Sequence, residues 1–515
     1  MRSMALRAVF VLAASAAIHL TSFSASALAG PSDDTLRVLI TRETDFIDPI
    51  HTNSTETDLF GVLVYDTLIH ADRATGEHKP SLAAKWTWID DRTIDFELRE
   101  GVTFHNGEPL DSADVVYTFK MLMDKNNKFR QQENDFGNIA SAEATGDYSV
   151  RVTLREPDPT FENMLASRIV IWPNEYTSEH GHMIHATKPV GTGPYALESL
   201  QQGSEYVLKK NENYFAGPRP APTIGHIQVR VIPEVQTQIA ELMAGAADMV
   251  LFMSAADAAA LQGFPGVKVA TGPATRMFFL SMNAAGGSED NPLRNVDVRR
   301  AISYAINRQE IATNLISPDA PVLHSHCNPT QAFCITDGVP GYEFNPEKAR
   351  ALLQEAGYTD GVQLAMMAEV SLRPVAEPIQ GYLANVGITM SLDTYPLPAW
   401  REKYIGGESQ MSIVGWGGGA TAADASYSLG IFFNQSSTDY AKDPQVTEWN
   451  EQAIHSMDPA KREELYRQSF SRINEQAYTL PLYGSVATYI SAETVEFEPP
   501  FMDFPDLSLA GWAGN

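Results

Sequence analysis

The stretch that most constrains this chain is its start, because it fixes the compartment in which everything after it must fold. Arg2 and Arg7 precede or flank an apolar run from Ala8 to Leu20, and Ala27-Leu28-Ala29 comes just before Gly30 and Pro31. A basic beginning, a short apolar core and small residues at the end make residues 1–29 a secretory signal peptide. The core is shorter than the roughly 20 residues a membrane-spanning helix needs, and no later stretch matches it, so no membrane insertion is expected. No cysteine lies near the cleavage point to carry a lipid anchor. The reading is a protein exported across an inner membrane into a periplasm.

Charge narrows the partners. The chain has 64 acidic against 37 basic residues and a formal net charge of -27. Nucleic acid is excluded as a partner, since affinity for phosphate backbones comes from clustered Lys and Arg; acidity of this size keeps a protein soluble. With 515 residues and about 100–200 residues per domain, two or three domains are predicted. The two cysteines, Cys327 and Cys334, sit close together in a loop containing Pro and Asn. In an oxidising compartment they are expected to form a disulfide. The competing use of the thiols is a metal site with His324 and His326.

The first half alternates strands with a few helices. Leu36–Ile40 and Thr93–Leu98 read as strands, and Tyr148–Leu154 places Tyr148, Val150, Val152 and Leu154 on one face. Asp111 and Asp114 precede Val115, Val116, Phe119, Leu122 and Met123, helical spacing behind an N-cap. A second helix follows Pro233, with Val235, Ile239, Leu242 and Met243 on one stripe. In the second half, helical spacing runs from Arg294 to Ile316, and Asn345-Pro346 opens a helix that buries Ala349, Leu352, Leu353 and Ala356 and stops at Gly357. Short strands at Gln363–Met366, Thr389–Leu392 and Met411–Val414 make this half α/β.

Two chemistries can be weighed from motifs alone. No Gly-x-Ser-x-Gly elbow, His-Glu-x-x-His helix or Walker-type phosphate loop is present in the sequence, so a periplasmic hydrolase is the weaker reading and no cofactor is implied. His180, His182 and His185 are spaced closely enough to invite a transition metal, but a mobile surface loop is the expected reading, and no metal site is assigned.

A series of segments, in order, gives a more specific reading. They are Phe46-Ile47-Asp48-Pro49, then Lys79-Pro80-Ser81-Leu82-Ala83 leading to Trp86, and the long block Phe96 to Gly107 followed by Ala113-Asp114-Val115-Val116. Pro189 to Tyr195, Asn211 to Phe215, Val298 to Ile306 and Glu355-Ala356-Gly357-Tyr358 complete the set. Taken together they resemble the extracellular solute-binding proteins of family 5, which include the dipeptide, oligopeptide, nickel and glutathione binders of ABC importers. The resemblance implies an α/β, two-lobe periplasmic binding protein of type II with mixed sheets and a hinge of two crossing strands. Lobe 1 would take residues 30–283, with a peripheral subdomain inserted at about 69–189; lobe 2 would take 284–480, and 481–515 would return to lobe 1. It also implies a monomer that captures a peptide or peptide-like ligand between its lobes and hands it to an inner-membrane ABC permease. An opine, an oligosaccharide or a metal chelate is the alternative cargo.

The resemblance places the ligand chemistry around Trp416, the aromatic wall of the cleft. Gly417, Gly418 and Gly419, with Thr421 and Asp424 beyond, depart from the dipeptide and oligopeptide binders, which carry an Asp two or three residues after the Trp to hold an ammonium. Backbone N–H groups of the glycine run are suited to a carboxylate. Glu43 and Thr44, in the loop after the first strand, are candidates for a ligand ammonium, Arg276 and Arg373 for a ligand carboxylate, and Tyr483 lies at the second crossing.

Overall fold

The computed structural model describes residues 31–514 except 53, 73–74, 130–131, 216, 288–289, 418–422 and 501–504. The signal peptide expected at residues 1–29 lies outside the described residues. Among them no helix is long and apolar enough to cross a membrane.

One ten-stranded mixed sheet runs through the protein in the order Ile388–Tyr395, Val362–Glu369, Met411–Trp416, Val267–Met282, Thr479–Ala492, Met249–Val250, Thr35–Ile40, His226–Val231, Glu205–Lys210, Tyr195–Gln201. Its two longest members, Val267–Met282 and Thr479–Ala492, pair antiparallel at the centre, and the register slips between Pro273 and Met277 and again between Phe278 and Phe279. Slips of this kind bend and twist a strand pair. On either side of them lies a separate core. One gathers Leu36, Phe60, Phe96, Phe119, Trp172 and Ile227, with Val495 and Trp512 returning from the C-terminal end. The other gathers Leu280, Val298, Ile302, Leu353, Ile379 and Leu482, extended by Phe279, Trp400, Phe432 and Phe470. Burying one such side chain contributes about 1.5–3 kcal/mol, so each core can hold its own lobe together. The architecture is the expected two-lobe α/β one.

Local chemistry explains most boundaries. The helix Ser112–Met123 starts in a capping box, with Asp111 accepting from the Ala113 N–H at 2.7 Å and Asp114 from the Asp111 N–H at 3.0 Å. Asp114 also accepts from the Asn174 N–H at 2.7 Å, and burial raises its carboxyl to about 6. This helix covers an antiparallel sheet of Ala83–Trp88, Thr93–Leu98, Ser149–Leu154 and Ile139–Gly146. The helix Pro346–Glu355 is capped by Asn345 and ends before Gly357, whose φ is +89°.

Several expectations are corrected. The helical run read from Arg294 to Ile316 is broken: one helix spans Val296–Ala305, Ile306 is extended, and Asn307 caps a new turn at Arg308–Ile311. A residue that accepts from a following N–H competes with helix continuation. Tyr148 and Met243 are 36% and 47% exposed, because Tyr148 precedes its strand and Gln238 takes the buried place in its helix. Leu352 and Ala356 are only half-buried. The histidine cluster is not a loose loop. His185 is fully buried between Tyr65 Oη (2.9 Å) and Thr177 Oγ1 (3.0 Å), and burial lowers it to about 4. His182 Nδ1 lies 2.8 Å from His51 Nε2, and His51 Nδ1 lies 2.8 Å from buried Asp48. Among the described residues no group of three or more potential ligands could hold a metal ion.

Cys327 and Cys334 form the expected disulfide, with Cα atoms 5.5 Å apart. His326, proposed as a partner for those thiols, is buried against Thr479 Oγ1 at 3.1 Å.

Candidate ligand cleft

Trp416 is the last residue of its strand and pairs with Met277 of the long central strand. The chain turns immediately after it. Gly417 has φ of +99°, and a Cβ there would meet the Thr275 carbonyl oxygen at 2.9 Å, so only glycine closes the turn against the hinge. At Gly415 a Cβ would meet the Phe278 ring at 2.6 Å. That space is filled by a stack: the Arg276 guanidinium lies 5.3 Å from the Phe278 centroid, and Tyr483 stacks on the same Phe278 ring at 4.7 Å.

Beyond Trp416 the chain is held by a buried ion pair and the disulfide loop. Both oxygens of Asp424 accept from Arg462 Nη2 at 3.0 Å, and Asp424 and Arg462 are each 4% exposed. The guanidinium lies 4.2 Å from the ring of Phe333, inside the Cys327–Cys334 loop. Burial pulls Arg462 down, but the Asp424 carboxylate and the neighbouring Tyr466 together more than reverse it, so the group is held above its ordinary value. The Ala332 N–H donates to the Ala423 carbonyl at 2.7 Å, and the Ala425 N–H to Ala332 at 3.0 Å.

Trp416 and Asp424 line a cavity of about 380 Å³ whose opposite wall comes from the first lobe. On the Trp416 side stand Tyr427, stacked on the indole at 5.6 Å, and Ile431. Facing them are Asp135, Asn138, Asp158, Phe161, Met164 and Arg168. His455 Nδ1, from the second lobe, donates to the Pro157 carbonyl of the first at 3.2 Å, so the lobes are in contact across the cleft.

The polar groups of this cavity are unevenly satisfied. Asp158 Oδ1 accepts from Thr160 N (2.9 Å) and Oγ1 (2.8 Å). Arg168 is 4% exposed; its Nη1 donates to the Thr52 carbonyl at 2.8 Å and its Nη2 to Asp135 at 3.3 Å. Burial outweighs that pairing and raises Asp135 above the usual carboxylate range. Among the described residues, two N–H groups of these side chains are buried with no acceptor, Arg168 Nε and Trp416 Nε1. Leaving one such donor unmade costs about 1–3 kcal/mol.

The cavity thus brings together Trp416 and Asp424 of the residues singled out in the sequence. Gly418, Gly419 and Thr421 lie outside the described residues. Gly417, Arg276 and Tyr483 adjoin the cleft at the hinge but are not among the residues lining the cavity. Glu43 Oε2 accepts from the Gly203 N–H at 2.7 Å. Thr44 is buried, with its hydroxyl 2.6 Å from that of Thr57. Arg373 makes an exposed i,i+4 pair with Glu377 at 2.7 Å. The first-lobe wall carries no sequence motif: Asp135, Asp158 and Arg168 are spread over 34 positions and meet only by folding.

Residues 77–439 match the family "Bacterial extracellular solute-binding proteins, family 5 Middle". Di/tripeptide-binding protein 3 of Pseudomonas aeruginosa is 27% identical over 506 residues, covering 90% of each chain. Heme-binding protein A of Haemophilus influenzae is 27% identical over 466 residues, covering 82% of each. Among solved structures, HbpA2 from Haemophilus parasuis superposes with a TM-score of 0.82 at 23% identity, over 93% of this chain and 99% of that one. The match spans most of the chain, and the two cores joined by long central strands supply the architecture to go with it: this protein belongs to the bacterial extracellular solute-binding proteins of family 5.

Proposed function

We propose that the protein is the periplasmic ligand-capturing component of an ABC importer and that its cargo is a peptide or peptide-like molecule. The observation that carries this is the interlobe cavity itself. It is walled by a tryptophan and a tyrosine on one side and by polar side chains on the other. Its volume falls in the range of small-molecule sites, roughly 300–1,000 Å³. Flat aromatic faces suit alternating amide planes and aliphatic groups, and the polar wall suits the amide N–H and C=O groups and the charged ends. That a relative covering 90% of this chain is a di/tripeptide-binding protein supports the same choice.

Capture rather than chemistry fits the wiring of the site. Among the described residues, the carboxylates lining the cavity are each engaged by a neighbour: Asp135 by Arg168, Asp158 by Thr160, Asp424 by Arg462. The hinge in this reading is the stretch where Val267–Met282 and Thr479–Ala492 slip register, dividing the lobes near residues 283 and 480. Closure about it expels water and strengthens the polar contacts inside. Release to an inner-membrane permease follows from reopening.

A thermal-shift screen against dipeptides, tripeptides and glutathione tests the reading. A ligand at 100 times its Kd stabilises by about 2.7 kcal/mol. A clear rise in melting temperature with at least one peptide class is the expected result. A response to opines, oligosaccharides or heme with none to any peptide would replace the cargo while keeping the transport role.

A further inference from the structure

Among the described residues, the cavity between the lobes carries one charge that no side chain answers. Of its lining carboxylates, Asp135 is paired with Arg168 at 3.3 Å and Asp424 with Arg462 at 3.0 Å. Asp158 has no cationic partner among the described residues. Its bonds come from the Thr160 N–H and hydroxyl, and both end on Oδ1, which leaves Oδ2 with its accepting capacity. Asp158 is also half-buried and keeps surface open to solvent, unlike Asp424. Residues 418–422, which follow the Trp416 turn, are Gly-Gly-Ala-Thr-Ala and bring no charge of their own.

The amides of the cavity show where the remaining capacity lies. Asn138 spends both ends on Glu156, at 3.1 and 3.0 Å. Asn434 spends both on Gly430 and Ser436, at 2.6 and 3.0 Å. Asn163, on the same wall as Asp158 and five positions later, makes no side-chain hydrogen bond among the described residues. One carboxylate oxygen and one amide are therefore unspent, and an ammonium, with three donors and one positive charge, can use both. The facing wall adds the rings of Trp416 and Tyr427, whose faces attract cations. A second anion in the same space would meet like charge, which costs affinity.

Resting on the reading of the cavity as the ligand site, we infer that Asp158 is its specificity-determining residue and receives a cationic amine of the ligand, with Asn163 as a second acceptor. This sets the cation on the first lobe, across the cleft from the glycine run.

The test uses the mature protein and four probes by calorimetry and thermal shift: Ala-Ala-Ala, its N-acetyl form, its C-terminal amide, and butylamine. Acetylation, which removes the cation, should weaken binding by about tenfold or more, and amidation should cost less. In Asp158→Asn, which keeps an oxygen for Thr160, the free and acetylated peptides should bind alike. Added salt should weaken the free peptide more on the wild type than on Asp158→Asn. Equal binding of free and acetylated peptide to the wild type, amidation as the costlier change, or an unchanged preference in Asp158→Asn would overturn the assignment. If Asp158→Asn does not fold, the contrast between free and acetylated peptide on the wild type still decides. Binding of butylamine with no response to any peptide, lost in Asp158→Asn, would sink the peptide reading and keep this one. No response to any of the four overturns both.

Discussion

The two walls of the cleft are made in opposite ways. The second-lobe wall is aromatic and rigid: Trp416 ends a central strand, Gly417 lets it turn, and behind it a buried Asp424–Arg462 pair and the disulfide loop hold the chain. The first-lobe wall is assembled from distant turns, with Asp158 held by two hydrogen bonds from Thr160, Arg168 by one to the Thr52 carbonyl, and Arg168 and Asp135 by a 3.3 Å ion pair. The lesson is a division of labour. One wall is a surface fixed from behind, and the other is a set of polar groups brought together from distant positions.

If that division is right, the largest effect should come from the bracing and not from the cleft surface. Arg462→Met leaves Asp424 buried without its cation, and breaking such a pair costs about 3–5 kcal/mol; denaturant unfolding of the ligand-free protein measures it. An unchanged midpoint would show that the pair braces nothing. Next, Trp416→Ala should lower affinity about 100-fold, as for a hot-spot residue losing about 2–3 kcal/mol. Trp416→Phe separates ring from donor: it keeps the face, removes the unmade Nε1, and should leave the empty protein as stable as before while still weakening binding. Calorimetry and melting curves on the two variants read both quantities.

Acid should expose a feature the two lobes share. Burial lowers His185 in the first core to about 4 and His326 in the second to about 3. Both sit below their ordinary value of about 6.5, so the unfolded state binds protons that the folded state refuses. Their contribution is fully present above about pH 6.5 and is lost as pH falls toward 4. Asp114 and Asp248, raised to about 6 by burial, run the other way, losing their contribution as pH rises through 6. His326→Asn should therefore flatten the fall in melting temperature between pH 6.5 and 4. A fall as steep as the wild type's would remove His326 from the account. The smallest effect belongs to Arg373, whose exposed pair with Glu377 is worth about 0.5 kcal/mol or less. Arg373→Ala should leave stability and affinity within error, and a large loss of affinity would bring it back as a cleft residue.

Local signals in the sequence were legible wherever a few neighbouring residues decide the outcome. The alternation at Thr93–Leu98, the Asp111 cap, the end before Gly357, the short cysteine loop and an indole at a strand end before glycines all describe choices made within about ten residues. The break at Ile306–Asn307 was masked because apolar spacing continues across it, and only the Asn307 cap interrupts the helix. His182 and His185 read as surface residues because their partners, His51 and Tyr65, lie over a hundred positions earlier. The first-lobe wall was hidden for the same reason. Arg168 looks like any surface arginine until folding carries it to Thr52 and Asp135 and closes solvent off from its Nε.

One small bond near the pivot has a wider consequence. Where the central strands lose register after Pro273, the carbonyls of Ala274 and Arg276 are taken by the side-chain amide of Asn328, at 2.9 and 3.2 Å. Asn328 sits inside the ring closed by Cys327 and Cys334. The covalently closed loop thus braces the irregular stretch of the central strands from the side, supplying through one amide the hydrogen bonds that the slipped register leaves unmade.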